Sequence, residues 1–304
     1  MKKNMHLIPA LLSLFILASS CEKDSQAQVP PVNIKSPLTQ LIKDSTDLVA
    51  QVFSDTIFQV SEGIRETDVH YLSKTGYAMH MFILEVDLNN PKLKVEAATP
   101  YNVDGYAMQT VPDMARYLEP AEGRVLAGVN ADFFNTSTGE PRGILIRNGK
   151  ILKTTWANAR SATFMGVRKN GQVFIGDRED FAAMKDDFED ALGGGPMLVK
   201  DNVILTQTDL SIEPRTGIGM SNKGKLYFIV VDGRSFYYSN GITITDLGRM
   251  LKACGANIAI NVDGGGSSTF MIKHPLAEVW QVRNRPSDGT NRAVGNAWMI
   301  LSKP

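Results

Sequence analysis

Beyond Tyr77 the sequence is a succession of short β-rich runs separated by turns that contain glycine. Short runs rich in β-branched and aromatic side chains, bounded by turn residues, are typical of β-strands. Asn148-Gly149 and Asn170-Gly171 stand between neighbouring runs, and Asn-Gly favours the tight turns of β-hairpins. The pattern restricts the chain to a sheet-rich fold, with strands predicted at residues 81–88, 93–97, 125–129, 144–146, 162–167 and 173–175.

Two later runs differ from these because almost every residue in them is apolar. Residues 227–231 and 258–262 have the composition expected of central strands that are buried on both faces. Residues 245–254, which lie between them, have helical character, with Thr245 as a candidate N-cap and Gly255 as a stop. Since we find neither an internal repeat nor a later linker, the sequence predicts one α+β (mixed α/β) domain with central mixed β-sheets, hairpins and flanking helices.

The first twenty residues have the layout of a secretory signal. Lys2 and Lys3 precede an apolar run, residues 7–18, that is shorter than the roughly 20 residues needed to span a bilayer. Small residues then lead to Cys21 and resemble the lipobox of bacterial lipoproteins, in which this cysteine carries the lipid. We therefore predict a lipoprotein signal peptide at residues 1–20 and an exported protein anchored in the bacterial cell envelope, on the periplasmic or surface face of the outer membrane. Ordinary cleavage without lipidation is the alternative.

The remaining chain divides into three predicted segments. Residues 21–37 are polar and contain three prolines, which is typical of a tether. Residues 38–76 form a helical and extended N-terminal segment, because apolar side chains between residues 36 and 52 recur at the spacing of an amphipathic helix. Residues 77–304 form the main domain.

Charge and motif content exclude several classes of protein. The 32 Lys and Arg residues balance 32 Asp and Glu residues, so the chain lacks the basic surplus that nucleic-acid binding requires. It has no P-loop, no Rossmann glycine fingerprint, no H-E-x-x-H and no G-x-S-x-G. The histidines beyond the signal, His70, His80 and His274, are too far apart in sequence for a typical zinc motif, and Cys254 has no disulfide partner if Cys21 is lipidated. Chemistry is therefore expected from carboxylates, arginines, amides and backbone N–H groups.

Such groups cluster directly after the predicted strands. Asp263 is followed by three glycines and two serines, and successive glycine N–H groups in a turn of this kind can converge on an anion. Other clusters place acids, amides and arginines beside glycines, at residues 128–135, 213–217, 231–234 and 284–292. Arginine offers paired donors to phosphate, whereas Asn and Asp suit sugar hydroxyls. The clusters predict a site for an anionic, hydroxyl-rich ligand, although each alone is also compatible with ordinary turn chemistry.

Six motifs, taken together and in order, resemble those of the phosphodiester glycosidase family. The resemblance covers roughly residues 75–302. It implies a glycosidase that cleaves the glycosidic C–O bond of a sugar-1-phosphodiester, such as an N-acetylglucosamine-1-phosphodiester, and releases free sugar and a phosphate monoester. The motifs occupy residues 130–134, 193–198, 215–219, 231–234, 261–267 and 284–288.

The resemblance and the residue types together assign roles within the site. Asp263 is the first choice for the carboxylate that activates water or attacks the anomeric carbon, and Asp132 is the alternative or second carboxylate. The departing phosphate monoester is already a stable anion, so arginine and N–H donors can replace much of the work of a general acid. Phosphate binding is assigned to Arg215, Gly264, Gly265, Gly266 and Ser267, with Arg234 and Arg292 in reserve. Sugar hydroxyls are assigned to Asn130, Asn284, Asp288 and Asp232.

Two other functions remain compatible with the sequence. One is an envelope lipoprotein that binds a glycan without turnover, and the other is a phosphodiesterase that attacks phosphorus, for which clustered Asp and His ligands to two metals would be expected. The expected partners are a sugar phosphodiester or phosphorylated glycan and the membrane, and a monomer is the expected state. No cofactor is predicted; a divalent cation near the carboxylates would be held by oxygen ligands.

Overall fold

The computed structural model describes residues 33–157 and 162–303. The predicted signal peptide and the lipidation of Cys21 lie outside these residues and stay predictions. In chain order the strands are β1 Val49–Ser61, β2 Ile64–Ser73, β3 Ala78–Asp87, β4 Leu93–Ala98, β5 Val125–Asn130, β6 Leu145–Arg147, β7 Lys150–Lys153, β8 Thr163–Arg168, β9 Val173–Asp177, β10 Phe188–Gly194, β11 Met197–Lys200, β12 Val203–Ile204, β13 Arg215–Met220, β14 Lys225–Val231, β15 Ile258–Val262, β16 Phe270–Lys273, β17 Trp280–Val282 and β18 Ala297–Ser302. The helices are α1 Pro37–Ser45, α2 Val111–Glu122, α3 Arg178–Met184 and α4 Ile244–Ala253.

The strands form three sheets, whose ladders are antiparallel. The large sheet has eight strands in the order β1-β2-β3-β14-β13-β15-β11-β12, and the two five-stranded sheets have the orders β7-β6-β10-β8-β9 and β17-β16-β5-β18-β4. The predicted Asn-Gly turns close the β6–β7 and β8–β9 hairpins. The α+β class predicted from the sequence is confirmed, with strands predominating.

The large sheet is covered on both faces, which explains its uninterrupted apolar strands. On one face Phe228 and Ile260 belong to a core shared with both smaller sheets. On the other face Ile229 packs with Ile42 of α1 and Leu247 of α4. Strands β14 and β15, which the sequence predicts to be central, are interior strands of this sheet. None of the helices in the described part of the chain is long and apolar enough to cross a membrane.

Two local predictions were wrong in extent. The helix predicted over residues 36–52 ends at Ser45, and Val49 begins β1, because pairing with β2 overrides the helical spacing of the apolar residues. The N-cap of α4 is Thr243 rather than Thr245, since the Thr243 side chain accepts a hydrogen bond from the backbone N–H of Asp246. Residues 38–76 share the large sheet with later strands through the β2–β3 ladder.

Candidate active site

The two predicted carboxylates meet where two sheets end side by side. Strand β5 ends at Asn130 in a five-stranded sheet, and β15 ends at Val262 in the large sheet. The backbone N–H of Asp263 donates to the carbonyl of Ala131 at 2.9 Å, and Nδ2 of Asn130 donates to the carbonyl of Asp263 at 2.6 Å. This junction brings Asp132 and Asp263 into one site, although 130 residues of chain separate them.

The carboxyl group of Asp132 is enclosed by protein. Its side chain is 1 % exposed, and Oδ2 accepts a hydrogen bond from the N–H of Gly143 at 2.7 Å. Backbone forms the wall, because a Cβ on Gly193 would lie 2.7 Å from Oδ2 and 2.6 Å from Cα of Gly143. Oδ1 is buried and has no hydrogen-bond partner among the residues that the structure describes. A carboxyl group enclosed in this way is not positioned to contact a sugar directly.

Burial raises the pKa of Asp132 to about 7. The bond from Gly143 opposes this rise, and the negative charge of Asp263 adds to it. At neutral pH, therefore, Asp132 holds a proton for a substantial part of the time. Asp132 is therefore better suited to the role of a second, buried carboxyl beside Asp263 than to the role of the nucleophile.

Asp263 is the less buried member of the pair. Burial raises its pKa to about 6, and this rise is opposed by the neighbouring Ser267 hydroxyl, by the hydrogen bond from the Gly264 N–H, and by the charges of Arg292 and Arg142. Burial thus brings the pKa values of both carboxyls towards neutral pH, which is what acid–base chemistry requires.

The glycine turn after Asp263 does not form the expected anion nest. The N–H of Gly264 donates to Oδ1 of Asp263, and the N–H of Gly265 donates to the carbonyl of Pro214. The N–H groups of Ser267 and Ser268 close the turn itself. The phosphate-binding role predicted for the backbone of Gly264, Gly265 and Ser267 is therefore revised, because these bonds use their N–H donors, whereas the role predicted for Gly266 stays a prediction.

The glycines instead leave room for two arginines. A Cβ on Gly265, whose φ is +60°, would lie 3.1 Å from Nη2 of Arg234. A Cβ on Gly266 would lie 2.2 Å from both Nη2 of Arg292 and Oδ2 of Asp288. Any larger residue at Gly266 would have to displace this ion pair. The predicted reserve arginines are thus packed directly against the turn.

Arg292 is one of two arginines whose positive charge lowers the pKa of Asp263. Its Nη1 lies 3.2 Å from Oγ of Ser267, four residues after Asp263 in the glycine turn. Its Nε and Nη2 contact Oδ2 of Asp288 at 2.8 and 2.6 Å. Asp288, predicted to hold a sugar hydroxyl, is better described as the residue that orients Arg292. Arg292 itself is well placed for phosphate.

Arg215, the first choice for phosphate, is instead tied to a neighbouring loop. Its side chain is 11 % exposed, Nε donates to the carbonyl of Ile242 at 3.3 Å, and Nη2 donates to the carbonyl of Ser211 at 2.8 Å. It also pairs with Asp209 at 3.5 Å. The structure therefore gives Arg215 a role in forming one wall of a cavity and does not support it as the main phosphate clamp.

Three side chains assigned to sugar hydroxyls are buried and bonded within the protein. Oδ1 of Asn130 accepts from Oγ1 of Thr216 at 3.0 Å. Asn284 accepts from the N–H of Phe270 at 2.7 Å and donates to Oδ1 of Asp232 at 3.1 Å. Asn130, Asn284 and Asp232 hold the strand ends together, so their predicted contact with sugar is revised to a supporting role.

Two residues that sequence reasoning gave no role belong to the site. Arg142 directly precedes Gly143 and contributes to the electrostatic field at Asp263. Asn261 is 2 % exposed, and its Oδ1 has no partner among the described residues. Asn261 faces a cavity of about 480 Å³ that also has Phe133, Pro196, Thr206, Gln207, Thr208, Asp209, Arg215 and Ile244 in its wall. The sequence signal for Arg142 was its position beside a glycine, close to the motif that contains Asp132.

No group of three or more His, Cys, Asp or Glu side chains within residues 33–157 and 162–303 is arranged to hold a metal ion. The prediction that the site uses no cofactor stays a prediction. The buried thiol of Cys254 is free.

Two neighbouring carboxyls and a carboxylate-bound arginine thus lie together where two antiparallel sheets end, and these groups are of the kind that hydrolases of anionic esters or glycosides use. A family model described as phosphodiester glycosidase matches residues 123–301, which include both carboxyls, Arg142 and Arg292. The chain belongs to the phosphodiester glycosidase family. The family resemblance inferred from the motifs is confirmed.

Relatives and solved structures agree with this assignment. N-acetylglucosamine-1-phosphodiester alpha-N-acetylglucosaminidase of Mus musculus is 26% identical over 168 residues, which cover 49% of this chain and 32% of the mouse protein. The prophage-derived protein YomE of Bacillus subtilis is 31% identical over 199 residues, 61% of this chain and 28% of YomE. The matched region thus spans about a third of the length of these relatives.

The fold is similar to that of the catalytic domain of the zebrafish N-acetylglucosamine-1-phosphodiester alpha-N-acetylglucosaminidase. The TM-score is 0.61 at 21% identity, over 90% of this chain and 95% of the zebrafish chain. A hypothetical protein from Synechocystis has a TM-score of 0.59 at 14% identity, over 82% of this chain and 64% of its own. At these identities the comparison supports the fold alone.

Proposed function

We propose that this protein hydrolyses the anomeric C–O bond of a sugar-1-phosphodiester, of the N-acetylglucosamine-1-phosphodiester type named for its mouse relative. The observation that carries the proposal is Asp263, held by the Gly264 N–H at the start of a glycine turn whose Ser267 contacts Arg292, an arginine whose charge also lowers the pKa of Asp263. A carboxyl group suited to acid–base chemistry thus lies in one turn with a cation suited to phosphate. This is the pair of groups that the reaction needs.

The reaction is balanced by water alone. Asp263 either accepts a proton from the attacking water or bonds to the anomeric carbon first, in which case water releases the sugar in a second step. In both routes the C–O bond breaks, and its electron pair leaves with the phosphate monoester. Arg292 and Arg142 stabilise the negative charge that develops on the leaving phosphate.

The sugar is proposed to occupy the cavity beside Asn261. A volume of about 480 Å³ is within the range typical of small-molecule sites. Phe133 offers an aromatic wall, and the polar side chains of Thr206, Gln207 and Thr208 in the same wall can bind sugar hydroxyls.

The proposed reaction is tested by isotope labelling with the purified protein, a synthetic N-acetylglucosamine-1-phosphodiester and ¹⁸O-labelled water. We expect the label in the free sugar and an unlabelled phosphate monoester, as read by mass spectrometry. Label in the phosphate would contradict the proposal and identify attack at phosphorus. Binding of the diester without turnover would instead identify a glycan-binding protein.

We also propose that the protein is exported and attached to the bacterial envelope through a lipid on Cys21, on the basis of residues 1–21 alone. A fatty acid fed to cells as an isotopic label should be incorporated into the wild-type protein and not into Cys21→Ser. The corresponding change at the other cysteine, Cys254→Ser, should leave incorporation unchanged. Equal labelling of wild type and Cys21→Ser would contradict the lipid anchor.

A further inference from the structure

A second cavity with two arginines lies beside the glycine turn. Its volume is about 170 Å³, and Arg234, Tyr238, Arg285 and Ser287 contribute to its wall. It adjoins the proposed active site because Arg234 packs against Gly265. Ser287 directly precedes Asp288, the residue that orients Arg292. One short loop therefore contributes to both sites.

The floor of this cavity is held by a partly buried hydrogen-bond network. The hydroxyl of Tyr238 lies 2.5 Å from Nδ1 of His80 and donates to Oδ2 of Asp232 at 3.3 Å. Nε2 of His80 in turn lies 2.5 Å from Oδ1 of Asp68. Because the hydroxyl is anchored in this way, the Tyr238 ring is a fixed surface. The polar end points into the protein, and the ring contacts the cavity.

Arg285 stacks on that ring and keeps its charge available. Its Cζ lies 5.2 Å from the centroid of the Tyr238 ring, and its backbone N–H donates to Oδ2 of Asp232 at 2.8 Å. The side chain is exposed and forms no ion pair with any acid in the described parts of the chain. Stacking on an aromatic ring orients a guanidinium group while leaving its N–H edge free to bind a ligand.

The second arginine is neutralised only in part. Nε of Arg234 contacts Oε2 of Glu213 at 2.6 Å, and Nη1 lies 3.5 Å from Oγ of Ser287. The cavity wall thus contains two guanidinium groups and no carboxylate, while Glu213, outside the wall, pairs with Arg234 and Asp232 bonds to the backbone N–H of Arg285. Guanidinium groups beside hydroxyl and N–H donors are suited to a phosphate group.

We propose that this cavity binds a second phosphate, carried by the alcohol half of the diester that the active site cleaves. The substrate class is then a sugar-1-phosphodiester whose leaving group bears a further phosphate, as each unit does in a polymer of sugar phosphates. The inference rests on the proposed function for the position of the cleaved bond. The binding of phosphate in the cavity depends only on Arg285, Arg234 and the Tyr238 surface.

The test measures affinity without turnover. In the full-length Asp263→Asn protein, calorimetry compares two N-acetylglucosamine-1-phosphodiesters, one with a 3-hydroxypropyl and one with a 3-phosphopropyl alcohol half. We expect the 3-phosphopropyl diester to bind about 10-fold or more tightly, which corresponds to one charge-assisted contact. Adding Arg285→Ala should abolish most of this preference. Arg116→Ala, which removes an exposed arginine from α2, should preserve it.

Three outcomes would overturn the inference: equal affinity for the two diesters, no detectable binding of the 3-phosphopropyl diester, or a preference that survives Arg285→Ala. Misfolding is a small risk because only the backbone of Arg285 bonds to Asp232, and circular dichroism checks it. Failure of the wild-type protein to hydrolyse either diester would count against the proposed function. The measured difference in affinity between the two diesters would then still test the phosphate-binding cavity.

Discussion

Replacing Asp263 by Asn is expected to lower kcat for sugar-diester hydrolysis by about 10²- to 10⁴-fold, the range that a positioned acid–base group contributes. Asp263 is the half-buried carboxylate of the pair, whereas Asp132 is enclosed by backbone. Asn has the same shape and keeps an oxygen that can accept the N–H of Gly264. The fold and substrate binding should therefore persist while the chemistry is lost. The measurement is kcat and KM from the release of reducing sugar.

The matched control is Asp186→Asn, because the Asp186 side chain is 77% exposed and pairs only with its neighbour Lys185 among the described residues. Its kcat should equal that of the wild-type protein. A folded Asp263→Asn protein with kcat within a few-fold of wild type would show that Asp263 is not the reacting carboxylate. The catalytic assignment would then pass to another group.

Replacing Asp132 by Asn is expected to change how stability depends on pH. The pKa of Asp132 is raised from 3.8 to about 7 in the folded protein, so the folded state binds a proton that the unfolded chain has released over much of this interval. The stability that this proton confers is complete below pH 4 and is lost as the pH rises towards 7. Between pH 5 and 8 the loss amounts to about 2–3 kcal/mol for one such group.

Asn cannot titrate, so Asp132→Asn should lose about 2–3 kcal/mol less of its free energy of unfolding between pH 5 and 8 than the wild-type protein. Urea unfolding at both pH values measures this difference. Asp186→Asn, which removes an exposed carboxyl, should follow the wild-type pH dependence. The same dependence in Asp132→Asn and wild type would mean that Asp132 is ionised without cost, contrary to its burial.

Several elements were predictable because their signals are local. The Asn148-Gly149 and Asn170-Gly171 turns need only their own φ preferences to form hairpins, and both hairpins are present. The apolar runs at β14 and β15 report burial on two faces directly. The prediction of a helix was wrong for the second half of the N-terminal segment, where the residues from Val49 onward pair with β2. The helical spacing of apolar residues is a local signal, and it carries no information about a pairing partner elsewhere in the chain.

The candidate site was likewise predictable only in part. The residue types and their positions after strands were sufficient to name both carboxyls, Arg292 and the glycine turn. They did not rank the carboxyls, because the enclosure of Asp132 comes from the backbone of Gly143 and Gly193. They also favoured Arg215 over Arg292, since no pattern in the sequence reveals that the loop at residues 209–211 binds the Arg215 guanidinium.

The class of fold, the family and the set of polar groups around Asp263 follow from the amino-acid sequence. Which of those groups remain available to a substrate depends on how the sheets and loops pack together. The side-chain amides of Asn130 and Asn284 and the N–H of Gly265 are bonded to segments distant in sequence, whereas the side chain of Arg285 is exposed. A buried polar group must find a partner, and that partner is set by packing between segments distant in sequence.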